Sequence, residues 1–143
     1  MRINGVRRGF KLVTLDGQSM VLAHVTCKSP RRVSRYGADV QSFENVGIKA
    51  LVKATEQHQF VVIDEIGKME LFSEKFKNAV LQVINSDKIV LGTIMLNSHP
   101  WPNAIKQMSQ VHLIELTPGN RAQALEQVLG WLRGANLLKE ANQ

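Results

Sequence analysis

The segment FVVID, residues 60–64, decides the fold class that the sequence predicts. Its four apolar residues show no polar alternation, which is typical of a strand that is buried on both faces of a parallel sheet. KIVLGTIML (88–96) predicts a second buried strand, and VHLIELT (111–117) predicts a third strand with half-alternating polarity. Together these segments predict a sheet of parallel strands.

Segments with helical spacing separate these strands. Apolar residues recur at steps of three and four between Val40 and His58, which predicts an amphipathic helix. Ser73 is a suitable N-cap for a helix that ends near Ser86. A short helix is expected over 103–108, and Asn120 is placed to cap a final helix. This alternation predicts an α/β fold with a mostly parallel sheet and right-handed crossovers.

An antiparallel hairpin is predicted to precede this α/β part of the chain. GFKLVTL (9–15) and SMVLAHV (19–25) flank Asp16-Gly17, and such a pair supplies the positive φ angles that a tight hairpin turn requires. The next segment, KSPRRVSRYGAD (28–39), is polar and interrupted by proline and glycine, which predicts mostly loop. The hairpin is therefore expected at one side of the sheet.

Length and composition fit one globular domain over residues 1–143, with a tail from about 134. Apolar residues make up 44% of the chain and charged residues 21%, which excludes a disordered protein. No apolar run approaches the roughly 20 residues of a membrane helix, and no apolar stretch follows the basic N-terminus as in a secretory signal. Cys27 is the only cysteine, which excludes an internal disulfide. We therefore expect a cytoplasmic protein without a membrane span.

Positive charge is concentrated in the first quarter of the chain. Residues 1–35 carry eight Lys and Arg against Asp16 alone, whereas the remainder has a net charge of −1. Such a segment predicts an anionic partner, namely nucleotide phosphates, RNA or an acidic protein, although a solvated basic surface explains it equally well. Only Phe10 and Tyr36 are interleaved with these bases, which weakens the case for single-stranded RNA.

The strand FVVID ends in Asp64, and Glu65 follows it, so two consecutive carboxylates stand at its carboxyl end. Ligands of open parallel sheets bind at the carboxyl ends of the strands, so this pattern is that of a Walker B motif. In that interpretation Asp64 holds Mg²⁺, directly or through water, and Glu65 orients or deprotonates an attacking water. The alternative is that both are ordinary turn residues. The enzymatic interpretation requires them to lie at a groove at the tip of the sheet.

Several segments together resemble the THEP1 family of P-loop nucleoside-triphosphatases. The resemblance covers the chain from about residue 5 to residue 132, and its central segment is specific. The matching segments are VVIDEIGKMELFS (61–73), RRGFKLVTLDG (7–17), LAHV (22–25), RVSRYGADVQSFE (32–44), GTI (92–94) and LTPGNR (116–121).

The resemblance implies slow hydrolysis of ATP, GTP and other nucleoside triphosphates with Mg²⁺ and broad base preference. It implies that Asp64 is the metal-side acid and that Glu65 is the catalytic carboxylate. Lys68 and Arg35 become candidates for phosphate contacts, with a solvated lysine and a loop-packing arginine as the alternatives. The pair Asn120-Arg121 becomes a candidate for the nucleotide base, with an N-cap and a surface arginine as the alternative.

The family's P-loop, G-x-x-x-x-G-K-[ST], does not occur in this sequence. The resemblance places the P-loop strand and the first helix before Met1, so the chain is expected to be the C-terminal four-fifths of a THEP1-type domain. That strand is expected beside FVVID, and its loss would leave an unpaired edge that favours self-association or a partner.

Two functions follow from this departure from the family pattern. The first is a nucleoside-triphosphatase of P-loop (RecA- or kinase-like) fold, of which the polypeptide alone is expected to have little or no activity. The alternative is a catalytically inactive remnant that binds nucleotide, or that binds RNA through residues 1–35, or that serves as an interaction module.

Overall fold

Residues 1–135 are described in the computed structural model, and the chain divides into two compact units, Met1–Gln107 and Met108–Gln143. The single domain over 1–143 stays a prediction, and the predicted tail from about 134 lies almost wholly outside the described residues.

The first unit begins with antiparallel strands. A small pair, β1 (Arg2–Ile3) and β2 (Val6–Arg7), precedes β3 (Gly9–Val13) and β4 (Ser19–His24). The predicted hairpin is confirmed, because β3 and β4 pair antiparallel around a turn in which Gly17 has a φ of 92°. This positive φ is the conformation for which glycine is preferred.

Two short strands that were not predicted lie within the segment 28–39, which is otherwise loop as expected. β5 (Arg32–Val33) and β6 (Tyr36–Ala38) complete a four-stranded sheet in the order β3-β4-β6-β5. The Arg32 guanidinium donates to the carbonyl oxygens of Cys27 at 2.8 Å and Arg35 at 2.6 Å, which stabilises this hairpin. Side-chain bonds of this kind leave no periodic pattern in the sequence.

The predicted helix between Val40 and His58 is confirmed. It consists of α1 (Val40–Phe43), a π-helical segment (Glu44–Ile48) and α2 (Lys49–Gln57) without a break. Asp39 is the N-cap, and its carboxylate accepts from the Ser42 backbone N–H at 3.0 Å.

Two parallel strands follow, each with a helix after it. β7 (Phe60–Ile66) leads through a 3₁₀ turn (Glu70–Phe72) to α3 (Glu74–Ile84), and β8 (Ile89–Ile94) leads to α4 (Pro100–Lys106). Ser73 caps α3 as predicted, since its hydroxyl accepts from the Phe76 N–H at 3.1 Å. The short helix predicted over 103–108 begins earlier because Pro100 occupies its first turn, where a missing N–H costs nothing.

The β7–β8 pair is buried on one face, not on both as predicted. Val61 and Ile63 are 2% and 8% exposed, whereas Phe60 and Val62 are 37% and 44% exposed. Among the described residues each strand has a single neighbour, so both outer edges of the pair are unpaired. The core lies on the covered face, and its main residues are Phe43, Ile48, Leu51, Val61, Ile63, Phe76, Val80 and Val83.

In the second unit the predicted strand over 111–117 is wrong. This segment has no regular secondary structure and is mostly exposed, because no neighbouring strand of the described chain bonds to its backbone. The final helix is confirmed as α5 (Arg121–Gly134). Ala124 and Leu132 are buried, whereas Leu125 is 59% exposed.

The fold is therefore mixed α/β, but the expectation of a mostly parallel sheet is not met. Two of the eight strands described in residues 1–135 pair in parallel, and the others form antiparallel ladders. None of the helices described here combines the length and the apolar character that a membrane crossing requires.

Candidate functional site

The acidic pair lies at the carboxyl end of β7, as predicted. Asp64 and Glu65 are both exposed, and the peptide bond between them is cis. The Thr93 hydroxyl on β8 donates to Oδ1 of Asp64 at 2.7 Å. Because β7 and β8 are parallel, with Ile63 opposite Gly92, their carboxyl ends meet and bring these two side chains together.

A second carboxylate lies close to Glu65. The buried Gly67 donates its N–H to Oε2 of Glu70 at 3.1 Å. A Cβ at position 67 would lie 2.8 Å from Oε1 of Glu65 and 3.1 Å from Oε2 of Glu70, so a larger residue would require these two carboxylates to shift. Burial raises the pKa of the Glu70 carboxyl, and the charge of Glu65 adds to the rise.

The oxygen atoms at this edge suit a hard divalent cation. Mg²⁺ uses one or two protein carboxylates and completes its shell with waters and substrate phosphates. Within residues 1–135 no group of three or more His, Cys, Asp or Glu side chains is placed to bind a metal. The described residues therefore do not form a structural metal cage, and the magnesium site at Asp64 stays a prediction.

Lys68 lies in the turn after β7 and is exposed. It lines a groove of about 570 Å³ whose cationic residues are Arg31, Arg32, Lys68 and Lys77. We call this the basic groove. Neither Asp64 nor Glu65 is among its lining residues, so this groove is not the one that the enzymatic interpretation requires at the acidic pair, and that requirement stays a prediction. The groove was not predicted, because its cations are far apart in the sequence.

Arg35 packs within its own sheet. Its guanidinium donates to the Arg7 carbonyl oxygen at 2.7 Å and lies 5.3 Å from the centre of the Tyr36 ring. The Tyr36 hydroxyl donates to the same carbonyl at 3.3 Å. These contacts support the loop-packing interpretation of Arg35.

In the second unit, Asn120 bonds to its own loop. Its side-chain oxygen accepts from the Thr117 N–H at 2.7 Å, and its amide donates to the Glu115 carbonyl oxygen at 2.7 Å. Asn120 occupies the N-cap position of α5, but its side chain makes no capping bond to the helix, which corrects the expectation that it does. Arg121 is the exposed first residue of α5. A role of either residue near a nucleotide base stays a prediction.

Sequence reasoning missed Thr93 and Glu70. The signal for Thr93 was its place near the end of the second strand, where a polar residue interrupts an apolar run. The spacing of Glu70 gave no comparable signal, because a 3₁₀ turn and not a regular helix brings it back toward Gly67.

Comparisons with known proteins agree on one family. A family profile described as NTPase matches residues 1–129. A nucleoside-triphosphatase THEP1 of Thermotoga sp. (strain RQ2) is 39% identical over 133 residues, which are 93% of this chain and 76% of that protein. The THEP1 of Aquifex aeolicus (strain VF5) is 37% identical over 133 residues, with 88% of this chain and 75% of that protein covered.

A solved structure shares the fold. The crystal structure of THEP1 from the hyperthermophile Aquifex aeolicus superposes with a TM-score of 0.80 at 37% sequence identity. The match covers 88% of this chain and 77% of that one.

Proposed function

The chain belongs to the THEP1 family of nucleoside-triphosphatases, and we propose that its Asp64–Glu65 site takes part in Mg²⁺-dependent hydrolysis of nucleoside triphosphates. Its mixed α/β structure is that of a P-loop NTPase. The proposed substrates are ATP, GTP and other nucleoside triphosphates, hydrolysed slowly and with little base preference. The observation that carries the proposal is the Asp64–Thr93 hydrogen bond at the carboxyl end of the parallel pair.

Asp64 is the proposed ligand of Mg²⁺, directly or through water. Its hydrogen bond to Thr93 restricts the carboxylate orientation, and its exposure leaves space for the waters that Mg²⁺ retains. When bound, the ion would neutralise charge on the β- and γ-phosphates.

Glu65 is the proposed catalytic carboxylate. It orients a water molecule and accepts its proton as the water oxygen bonds to the γ-phosphorus. The bond from that phosphorus to the bridging oxygen breaks, and the nucleoside diphosphate leaves. Exposure of Glu65 allows water to reach it.

The phosphate cradle of this fold class normally consists of backbone N–H groups, a lysine and a hydroxyl. No string of the P-loop type occurs in these 143 residues. We therefore expect the polypeptide alone to release phosphate slowly or not at all. This absence is also what favours the second candidate, a protein that binds nucleotide without hydrolysing it.

Magnesium-dependent nucleotide binding tests the role of Asp64 without requiring turnover. The affinity for ATP and GTP is measured by calorimetry with Mg²⁺ and with EDTA. We expect Mg²⁺ to strengthen binding to the wild-type protein and to have no such effect on Asp64→Asn. Asp87→Asn is the matched control, because Asp87 is exposed and makes only a 3.9 Å ion pair with Lys88.

The control should retain the full magnesium effect. Equal magnesium dependence in the wild type and in Asp64→Asn would contradict the proposed role of Asp64. If both Asp64→Asn and Asp87→Asn lost the magnesium dependence of nucleotide binding, that dependence would come from general surface charge and not from Asp64.

A further inference from the structure

The basic groove brings together three segments that are distant in the sequence. Arg31 and Arg32 come from the β5 hairpin, Lys68 comes from the turn after β7, and His99 comes from the loop after β8. Its volume of about 570 Å³ lies within the range of small-molecule sites, which is about 300–1,000 Å³.

The basic groove has a net positive charge. Four cations and the carboxylate of Glu74 line it, and Glu74 already pairs with Lys77 at 2.8 Å. None of the three ion pairs within residues 1–135 includes Arg31, Arg32 or Lys68. A concave surface lined by charge of one sign concentrates its potential and attracts ions of the opposite sign.

The backbone that carries these cations is held in place. The bonds from Arg32 to the carbonyls of Cys27 and Arg35 fix one wall. On the other wall, the Leu71 N–H donates to the Gly67 carbonyl at 3.2 Å, and the Gly67 N–H donates to Glu70. The exposed side chains of Arg31 and Lys68 make no hydrogen bond to the described residues, so both remain available. A preformed site of this kind loses less entropy when a ligand binds.

The lining favours a compact polyphosphate over a polynucleotide. Single-stranded nucleic acid requires a row of aromatic platforms, and the groove contains only the ring of the half-buried Phe72 and the imidazole of His99. The aromatic residues of the basic segment are already engaged, since the rings of Phe10 and Tyr36 contact each other edge to face at 5.0 Å. Arg7 also lies 5.1 Å from the centre of the Phe10 ring.

We propose that the basic groove binds a small anion of two or more linked phosphates, with Arg31 and Lys68 as its principal contacts. Both side chains donate to phosphate oxygens in charge-assisted hydrogen bonds, and the fork of Arg31 engages two oxygens at once. The inference goes beyond the proposed hydrolysis, because recognition in this groove needs neither Asp64 nor Mg²⁺. Inorganic tripolyphosphate and the tail of a nucleoside triphosphate present the same chemistry.

Calorimetric titration with inorganic tripolyphosphate in EDTA tests the proposal. The variants are Arg31→Gln/Lys68→Gln and the control Arg8→Gln/Lys11→Gln, which removes two exposed charges from the same basic segment outside the groove. We expect the groove variant to raise Kd about tenfold or more, which corresponds to about 1.4 kcal/mol, and the control to change it less than twofold. Urea unfolding of both variants should match the wild type, because these side chains are exposed.

Titrations with ATP and with a single-stranded RNA oligomer show whether the basic groove also binds the phosphate tail of a nucleotide or a nucleic acid. Binding of tripolyphosphate and ATP with the same loss in the groove variant supports the proposal. No tripolyphosphate binding by the wild type, equal weakening in both variants, or binding of RNA alone would overturn it. The tripolyphosphate titration is done in EDTA, so its outcome does not depend on whether Asp64 binds Mg²⁺. Likewise, a failure of tripolyphosphate to bind would not contradict the proposed role of Asp64.

Discussion

Replacing Ser73 with alanine removes the side chain that connects the first turn of α3 to the helix before β7. Ser73 is fully buried, and its hydroxyl accepts from the Phe76 N–H at 3.1 Å. The same hydroxyl donates to Oε1 of Glu44 at 2.8 Å. Alanine therefore leaves one backbone donor and one carboxylate oxygen without their partner.

The expected loss of stability follows from these two bonds. Loss of a serine N-cap costs about 0.5–2 kcal/mol. A hydrogen bond to a charged group contributes about 1.5–3 kcal/mol. Glu44 keeps its 3.4 Å ion pair with Lys75, and its side chain is 17% exposed, so part of the second contribution is recovered through water. We expect the free energy of unfolding to fall by about 2–4 kcal/mol, a large share of the typical 5–15 kcal/mol.

Urea unfolding followed by circular dichroism measures this change. With a slope of about 2 kcal/mol per molar urea, the midpoint should fall by about 1–2 M. Ser109→Ala is the control, because Ser109 is exposed and bonds only weakly, at 3.4 Å, to its neighbour Gln110. The control should change stability by less than about 0.5 kcal/mol. A midpoint for Ser73→Ala equal to that of the control would refute the reasoning.

Three further predictions concern packing, pH and turnover. Gly37→Ala should lower the unfolding free energy by about 1–3 kcal/mol, because its Cβ would lie 2.2 Å from the Cys27 carbonyl oxygen, and an unchanged urea midpoint would contradict this. The raised folded-state pKa of Glu70 contributes stability below its ordinary value of 4.5, and this contribution is lost as pH rises through the folded pKa. Wild-type stability relative to Glu70→Gln should therefore decrease as pH rises above about 4.5, and unfolding free energies of the two proteins that change in parallel with pH would exclude the effect. The polypeptide alone should release little phosphate from Mg²⁺-ATP or Mg²⁺-GTP because it lacks the phosphate cradle, and robust release that disappears in Glu65→Gln would show that expectation to be wrong.

Local chemistry made much of the fold predictable. Asp16-Gly17 specified the hairpin turn, and Ser73 specified the start of α3, because each acts on residues within four positions. The β5–β6 hairpin was missed because it depends on Arg32 reaching the backbone of Cys27. Residues 111–117 were misassigned because half-alternating polarity produces a strand only where a neighbouring strand supplies backbone partners.

The residues of the candidate site were likewise predictable only where they are close together in the sequence. Asp64 and Glu65 are adjacent in the sequence, so a strand followed by two acids was enough to find them. Thr93 lies 29 residues from Asp64, its partner across the strand pair, and Arg31 and Lys68, which both line the basic groove, are 37 positions apart in the sequence. Without the register of β7 against β8, the sequence did not indicate that Thr93 faces Asp64.

Exposure of the acidic pair is consistent with its proposed chemistry. Val62 and Asp64 are two positions apart on β7 and so share the face that the described residues leave open, where Val62 is 44% exposed. A carboxylate that shares Mg²⁺ with several waters and a polyphosphate has to be reachable from solvent, and desolvating it before binding would cost free energy. The Thr93 hydrogen bond therefore matters more than burial, because it orients an otherwise exposed side chain. A simple turn residue needs no such partner across the sheet, and the magnesium dependence of Asp64→Asn separates the two interpretations.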